Sequence, residues 1–444
     1  MLAGSGGSAQ QQEAQPPSVA WYDEIPGSIC GPEDGPWPRA FTNLTTSEAW
    51  NKLSLVSDPQ SLAYGTGEKW RADALNFQPF SGARSQDRYA MQQLHVGGRI
   101  WTLTAVFDGA LFNEFNLPGH LGDATVQHAA HHVPIIVREF LEDLDKKHGG
   151  RIVPPPLIAD VFSSAIRAFD DAIANDVLEL FPGGLHAAIG MPDQQIHTIL
   201  NDQLVGGENF KRARLCMYGT TALVALVDPD HTNLWLANLG DCQGVMVSET
   251  SPQVWSYEVL TRVHNGQNKR EVERVRREHP GESECIVDDR VLGAIAPFRC
   301  LGDTPFKQPP EFTRRILYNL FPGNRDISLW EEFLVRNKTP PYISAVPEVT
   351  HFPLDRSQGP LRRYLILCSD GFTDICGQHQ RSVIDRWLRN MPVAGGRSAT
   401  IPPNRALQLL WQGLGGESVS VSKALTLDLD VPWLDDISIV VQSL

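Results

Sequence analysis

The chain has 444 residues, 42% of them hydrophobic, with 37 Gly, 32 Pro and a formal charge of −14. This is globular composition, with enough apolar material for a core of several layers. The acidic balance opposes nonspecific nucleic-acid binding and docking on anionic membranes, both of which need clustered Lys and Arg.

Residues 1 to about 20 are rich in Gly, Ser, Gln and Pro and read as disordered. The segment has neither the apolar core of a secretion signal nor the Arg-rich amphipathic pattern of a transit peptide. Residues 21–60 are punctuated by Pro and Trp without a sustained period, so the expected division is a partly disordered tail over 1–60 and one domain over 61–444. Trp101, Leu103, Ala105 and Phe107 alternate with Thr102, Thr104 and Val106, the period of a half-buried strand. Residues 157–180 carry Ile158, Val161, Phe162, Ala165, Phe169, Ile173 and Val177 at helical spacing after a run of prolines. Leu223–Val227 and Leu234–Leu239 read as strands joined by an Asp-Pro-Asp-His turn, and Asn268 as the cap of a charged helix to Arg277. The Pro-bounded stretch from about 305 to 342 reads as an insertion between core elements. Leu365–Cys368 and Ile437–Val441 are further apolar strands. No apolar run reaches the roughly 18 residues of a transmembrane helix. The seven cysteines are odd in number and lack a CxxC pair, which points to a reducing, intracellular compartment; cytoplasm, nucleus and mitochondrial matrix all stay open.

Four acidic turns share one design. Phe107-Asp108-Gly109, Gly240-Asp241 and Ser369-Asp370-Gly371 each follow a strand, and Asp435-Asp436 precedes the last one. An Asp at a strand end is held by a rigid element yet faces an open rim, and an adjacent Gly lets a cation approach the backbone. Hard divalent cations such as magnesium and manganese take such oxygen ligands. A single Asp-Gly is most often only a turn; four in order are a pattern. No Cys/His cluster stands at zinc-ligand spacing, and His131-His132, adjacent on an amphipathic stretch, read as structural. Neither GxxxxGK[ST] nor GxSxG occurs, which excludes a P-loop and a hydrolase elbow.

Over about residues 86–441 these pieces resemble, in order, the metal-dependent serine/threonine phosphatases of the 2C type. The resemblance is carried by Gln86-Asp87-Arg88, Val106-Phe107-Asp108-Gly109, Gly219-Thr220-Thr221-Ala222, Ala237-Asn238-Leu239-Gly240-Asp241, Pro297 through Asp303, Pro347-Glu348-Val349, Cys368 through Asp374 and Asp435-Asp436-Ile437-Ser438. His264 through Asn268, Glu278-His279-Pro280 and Thr339 through Ile343 look like the pyruvate dehydrogenase phosphatase branch. The resemblance implies an α+β fold, a four-layer αββα sandwich of two central antiparallel sheets flanked by helices. It also implies a monomer acting on phosphoproteins with two Mg2+ or Mn2+ ions and a weaker third. Asp108 would bridge the two ions, with Asp87 and the Gly109 carbonyl on one side and Asp370 and Asp435 on the other. A water between the ions would attack phosphorus. Asp241, Asp370 and Asp374 match the third position. A metal pair about 4 Å apart acidifies bound water and clamps a phosphoryl group.

Three departures from the family pattern stand out. Gln86 replaces the usual Glu, removing a negative charge. The histidine expected directly after Asp108-Gly109, a general acid, is displaced to Gly119-His120-Leu121-Gly122. The phosphate-binding arginine would fall on Gly82, so Arg84 or Arg88 stands in. These departures motivate the alternative of a weak or inactive pseudophosphatase acting as a binding protein.

Overall fold

A computed structural model of the protein describes residues 18–64, 70–109, 123–149, 153–323, 327–354, 362–391 and 403–444. Eleven strands build two sheets: β1 (Gln60–Tyr64), β2 (Trp70–Phe77), β3 (Arg88–Val96), β4 (Arg99–Phe107), β5 (Ala222–Val227), β6 (Asn233–Leu239), β7 (Gln243–Ser251), β8 (Val254–Val259), β9 (Glu348–Pro353), β10 (Arg363–Cys368) and β11 (Ile437–Ser443). One sheet has the order β8-β7-β10-β11-β2-β1 and the other β9-β6-β5-β4-β3. Every pairing in both is antiparallel.

The core divides into three layers of contact, which makes the molecule an αββα sandwich. Helices α1 (Thr46–Ser57), α2 (Asp123–His148) and α3 (Pro155–Leu178) differ in where they pack. Helices α2 and α3 bury Val126, Val133, Phe162, Ile166 and Phe169 against Leu103, Ala105 and Phe107 of β4. Between the sheets lie Val106, Leu223, Ala225, Leu236, Leu365, Leu367 and Val440. The outer face of the six-stranded sheet meets Trp50 and Leu53 of α1 and the C-terminal helices.

Strand β4 departs from its sequence reading. The alternation suggested one buried face, but both are covered, because a central strand of a sandwich has a second sheet over its polar side. Thr104 donates to the Gln442 Oε1 at 2.7 Å, and the Gln442 amide donates back to Thr102 at 3.3 Å, so the polar side is satisfied by the facing sheet. The local readings of the helices hold more closely. The helix over 157–180 is α3, started by Pro at its first positions. The charged helix α4 (Lys269–Glu278) is capped by the Asn268 side chain, which accepts from the Arg270 N–H. The tail segment, without a period in sequence, carries α1, capped by Thr45 with a Glu48 capping box.

Candidate metal centre

The strand ends that carry the acidic turns meet at one edge of the sandwich. In the register, Arg88 pairs with Phe107, Val106 with Leu223, Ala222 with Leu239, and Cys368 with Ile439. Asp87 therefore enters β3 beside Asp108 leaving β4, and Gly240-Asp241 leaves β6 next to them. On the other sheet Asp435-Asp436 enters β11 where β10 ends. Ser369 locks that junction, its N–H donating to the Ser438 carbonyl at 3.1 Å and its hydroxyl accepting from the Ser438 N–H at 2.8 Å. Asp370 opens the short helix α5 (Asp370–Cys376).

Glycines allow the turns to close on one another. A Cβ on Gly371 would lie 2.2 Å from the Asp436 carbonyl oxygen, and one on Gly109 2.7 Å from that of Gln86. Gly240, at φ +106°, would press a Cβ into Thr221. The Asp108 carbonyl accepts from the Thr221 N–H at 2.9 Å and the Thr220 hydroxyl at 2.8 Å, fixing the backbone behind its carboxylate.

Asp108, Asp241 and Asp370 each present a carboxylate oxygen within 4.8 Å of the others, and no other trio of His, Cys, Asp and Glu among the described residues does so. Asp87 is 1% exposed, and both its carboxylate oxygens are buried without a hydrogen-bond partner. The electrostatics follow from that crowding. Burial, then Asp370, Asp87 and Asp241, holds Asp108 well above the ordinary carboxylate range. Burial, then Asp241 and Asp435, pushes Asp370 up to about 7. Burial and Asp436 raise Asp87, while burial raises Asp241 and Asp435. A buried carboxylate with no partner and several like-charged neighbours is costly unless a cation balances it. An all-oxygen donor set of this kind fits a hard divalent ion such as magnesium or manganese.

The remaining expected positions fall as follows. Asp374 is in the last turn of α5, exposed at the rim, and Arg84 is exposed in the turn before Gln86. His120 lies outside the described residues. Arg88 is already committed: its Nη1 donates to the Ser85 and Asp87 carbonyls at 2.6 and 2.7 Å, and its Nε to Gln127 at 2.6 Å. It clamps the Asp87 turn to α2 and is not free to bind phosphate.

Sequence reading named Asp436, Asn238 and His264 within its motifs but did not assign them the role of holding the ligands in place. Asp436 accepts from the Gln86 N–H at 2.6 Å and from the Gln78 amide at 2.9 Å, so it ties the Asp87 turn to the start of β11. His264 accepts at Nδ1 from the Gly240 N–H at 3.2 Å, which leaves Nε2–H facing Glu348 at 3.2 Å. Asn238 donates to the Arg262 carbonyl at 2.8 Å and Asn76 to that of Asp87 at 3.1 Å. Of these, Asp436, Asn238 and His264 stood within the motifs that carry the resemblance, and Asn76 had no sequence signal.

Residues 193–391 match the family model described as protein phosphatase 2C. That span contains Asp241, Asp370 and Asp374; Asp87, Asp108 and Asp435 lie outside it, and the sheet register brings them in. Among curated relatives, the chain is 32% identical over 228 residues to mitochondrial pyruvate dehydrogenase (acetyl-transferring) phosphatase 1 of Bos taurus, covering 51% of this chain and 37% of that protein. It is 39% identical over 160 residues to the mitochondrial phosphatase 2 of Homo sapiens, covering 35% and 29%. A protein phosphatase 2C homolog of Schizosaccharomyces pombe is 28% identical over 244 residues, covering 50% and 52%. The matches thus span from about a third to half of the length of these relatives.

Proposed function

We propose that the chain is a member of the protein phosphatase 2C family and a divalent-metal-dependent protein serine/threonine phosphatase, acting as a monomer on phosphoprotein substrates. The observation that carries this reading is Asp87: a buried carboxylate whose oxygens meet no hydrogen-bond partner, among like charges that a cation would offset. Asp87, Asp108, the Gly109 carbonyl, Asp370 and Asp435 are the proposed holders of two Mg2+ or Mn2+ ions, with Asp241 and Asp374 completing a third position. Bound, such ions would neutralise phosphate charge and acidify a water.

The protein's own contribution is positional. The strand ends fix the carboxylates before substrate arrives, so little reorganisation is needed as charge moves onto the leaving oxygen. Asp436, Arg88 and His264 hold the turns that carry them. Arg84, exposed at the rim, is assigned to the substrate phosphate, and His120 to proton donation to the leaving alkoxide. The proposed domain runs over residues 61–444, with the insertion at about 305–342, and α1 of the preceding segment packs into its core. Two of the relatives are mitochondrial by name. The proposed location is the mitochondrial matrix, and fractionation finding the protein in cytoplasm or nucleus would replace it.

The test is hydrolysis of p-nitrophenyl phosphate and of a phosphothreonine peptide with added Mn2+ or Mg2+. Chelation should abolish turnover and re-addition restore it. Asp108→Ala should lower kcat by a factor on the order of 10²–10³ or more. A folded wild type that binds metal without turning over either substrate would establish the pseudophosphatase instead.

A further inference from the structure

At the N-terminal side of the molecule, Trp21, Tyr22, Asp23, Glu24, Pro32 and Trp37 line an open cavity of about 520 Å³. Half of its lining is aromatic, two residues are acidic, and none is basic. The rings of Tyr22 and Trp37 meet edge to face, with centroids 5.6 Å apart and planes at 61°, so they form two walls of a corner. Trp37 is held there by its indole N–H, which donates to the Gly31 carbonyl at 3.0 Å. Trp21 is 48% exposed, an unusual degree for the largest apolar side chain among the described residues.

The charges around the corner are one-sided. Asp23 and Glu24 belong to the short turn Tyr22–Glu24, and Glu33 and Asp34 to a second, Pro32–Asp34. Glu24 meets Lys423 at 3.0 Å and caps the Trp21 N–H, and Asp34 accepts from the Gly31 N–H. Asp23 has no hydrogen-bond or ion-pair partner among the described residues, and it is exposed. An aromatic corner with a free carboxylate at its mouth attracts organic cations, because ring faces carry negative quadrupole charge.

We propose that this cavity is a recognition site for a methylated ammonium group, of the kind a methylated lysine side chain presents on a partner polypeptide. A bare ammonium is strongly hydrated and loses that water on entering. Methylation keeps the charge, spreads it and supplies apolar surface for the two ring faces, while Asp23 balances the charge from the rim. A neutral group of the same shape would leave the Asp23 carboxylate unmatched. Its lining shares no residue with the metal centre, and the proposal does not depend on the phosphatase reading.

Ligand-observed NMR titration of the full chain with Nε-trimethyl-lysine amide and with tetramethylammonium tests this, against lysine amide and neutral 3,3-dimethylbutanol. Saturable binding is expected for both methylated cations. Trp37→Ala and Trp21→Ala should each weaken it about tenfold, and Asp23→Asn a few-fold. Circular dichroism of each variant checks folding, and the exposed Trp21 keeps the test usable if Trp37→Ala does not fold. The proposal is overturned if folded wild-type protein binds neither methylated cation, if the neutral alcohol or lysine amide binds as tightly, or if binding survives both tryptophan substitutions.

Discussion

Replacing Asp370 by Asn should stabilise the metal-free protein, an advantage that wild type recovers once metal is present. In the folded state the Asp370 carboxyl is pushed up to about 7 by burial and by Asp241 and Asp435, against an ordinary value of 3.8. A raised value means the folded state holds that proton more tightly than the unfolded chain. The associated stability is complete below about pH 4 and lost as pH rises through 7. With 1.36 kcal/mol per unit, the loss is of the order of 4 kcal/mol at pH 8. Asn has the shape of the neutral acid and no charge, so Asp370→Asn removes the penalty. Urea unfolding in EDTA at pH 8 should show the variant more stable by up to about 4 kcal/mol, and at pH 4 the two proteins should converge. Mn2+ should close the gap, since a ligand at about 1,000 times its Kd stabilises wild type by about 4.1 kcal/mol. Equal stability in EDTA at pH 8, or a gain that persists at pH 4, would refute the view of this cluster as an uncompensated buried charge.

Gly371→Ala places a Cβ 2.2 Å from the Asp436 carbonyl oxygen. It should cost about 1–3 kcal/mol in denaturant unfolding and weaken Mn2+ binding by calorimetry, because α5 must move away from Asp435-Asp436. Glu271 is 4% exposed and accepts from Arg299 at 2.6 and 2.9 Å and from Arg274 at 3.0 Å. Burial alone would raise its carboxyl, but the two guanidiniums more than offset this and hold it at about 2. Glu271→Gln should therefore cost about 3 kcal/mol at pH 7. Its stability contribution is present above about pH 4.5 and lost as pH falls towards 2, so the gap between variant and wild type should close on acidification. His264→Ala removes the acceptor of the Gly240 N–H. It should lower metal affinity about tenfold and cost about 1–3 kcal/mol in unfolding of the metal-free protein, because the Gly240 N–H is left unpaired.

The sequence by itself determined the local pieces. The alternation before Asp108, the prolines before α3 and the Asn268 cap are specified by neighbouring residues, and the structure keeps them where the pattern put them. The order of the acidic turns was legible for the same reason, since each is a strand end followed or preceded by a turn residue. What only the tertiary structure decided is which turns meet. Asp87 and Asp436 are 349 positions apart, yet one hydrogen bond of 2.6 Å from the Gln86 N–H joins their turns. That contact exists because β2 pairs with β11 in one sheet while β3 pairs with β4 in the other, and pairing partners across such separations leave no local trace. The same holds for Arg88, which looked available for phosphate and is spent on carbonyls. It holds too for the polar face of β4, which looked solvated and is covered by Gln442. Residue type and period set each element and its candidate ligands; the packing of two sheets set which carboxylates must share one edge, and so which of them require a cation.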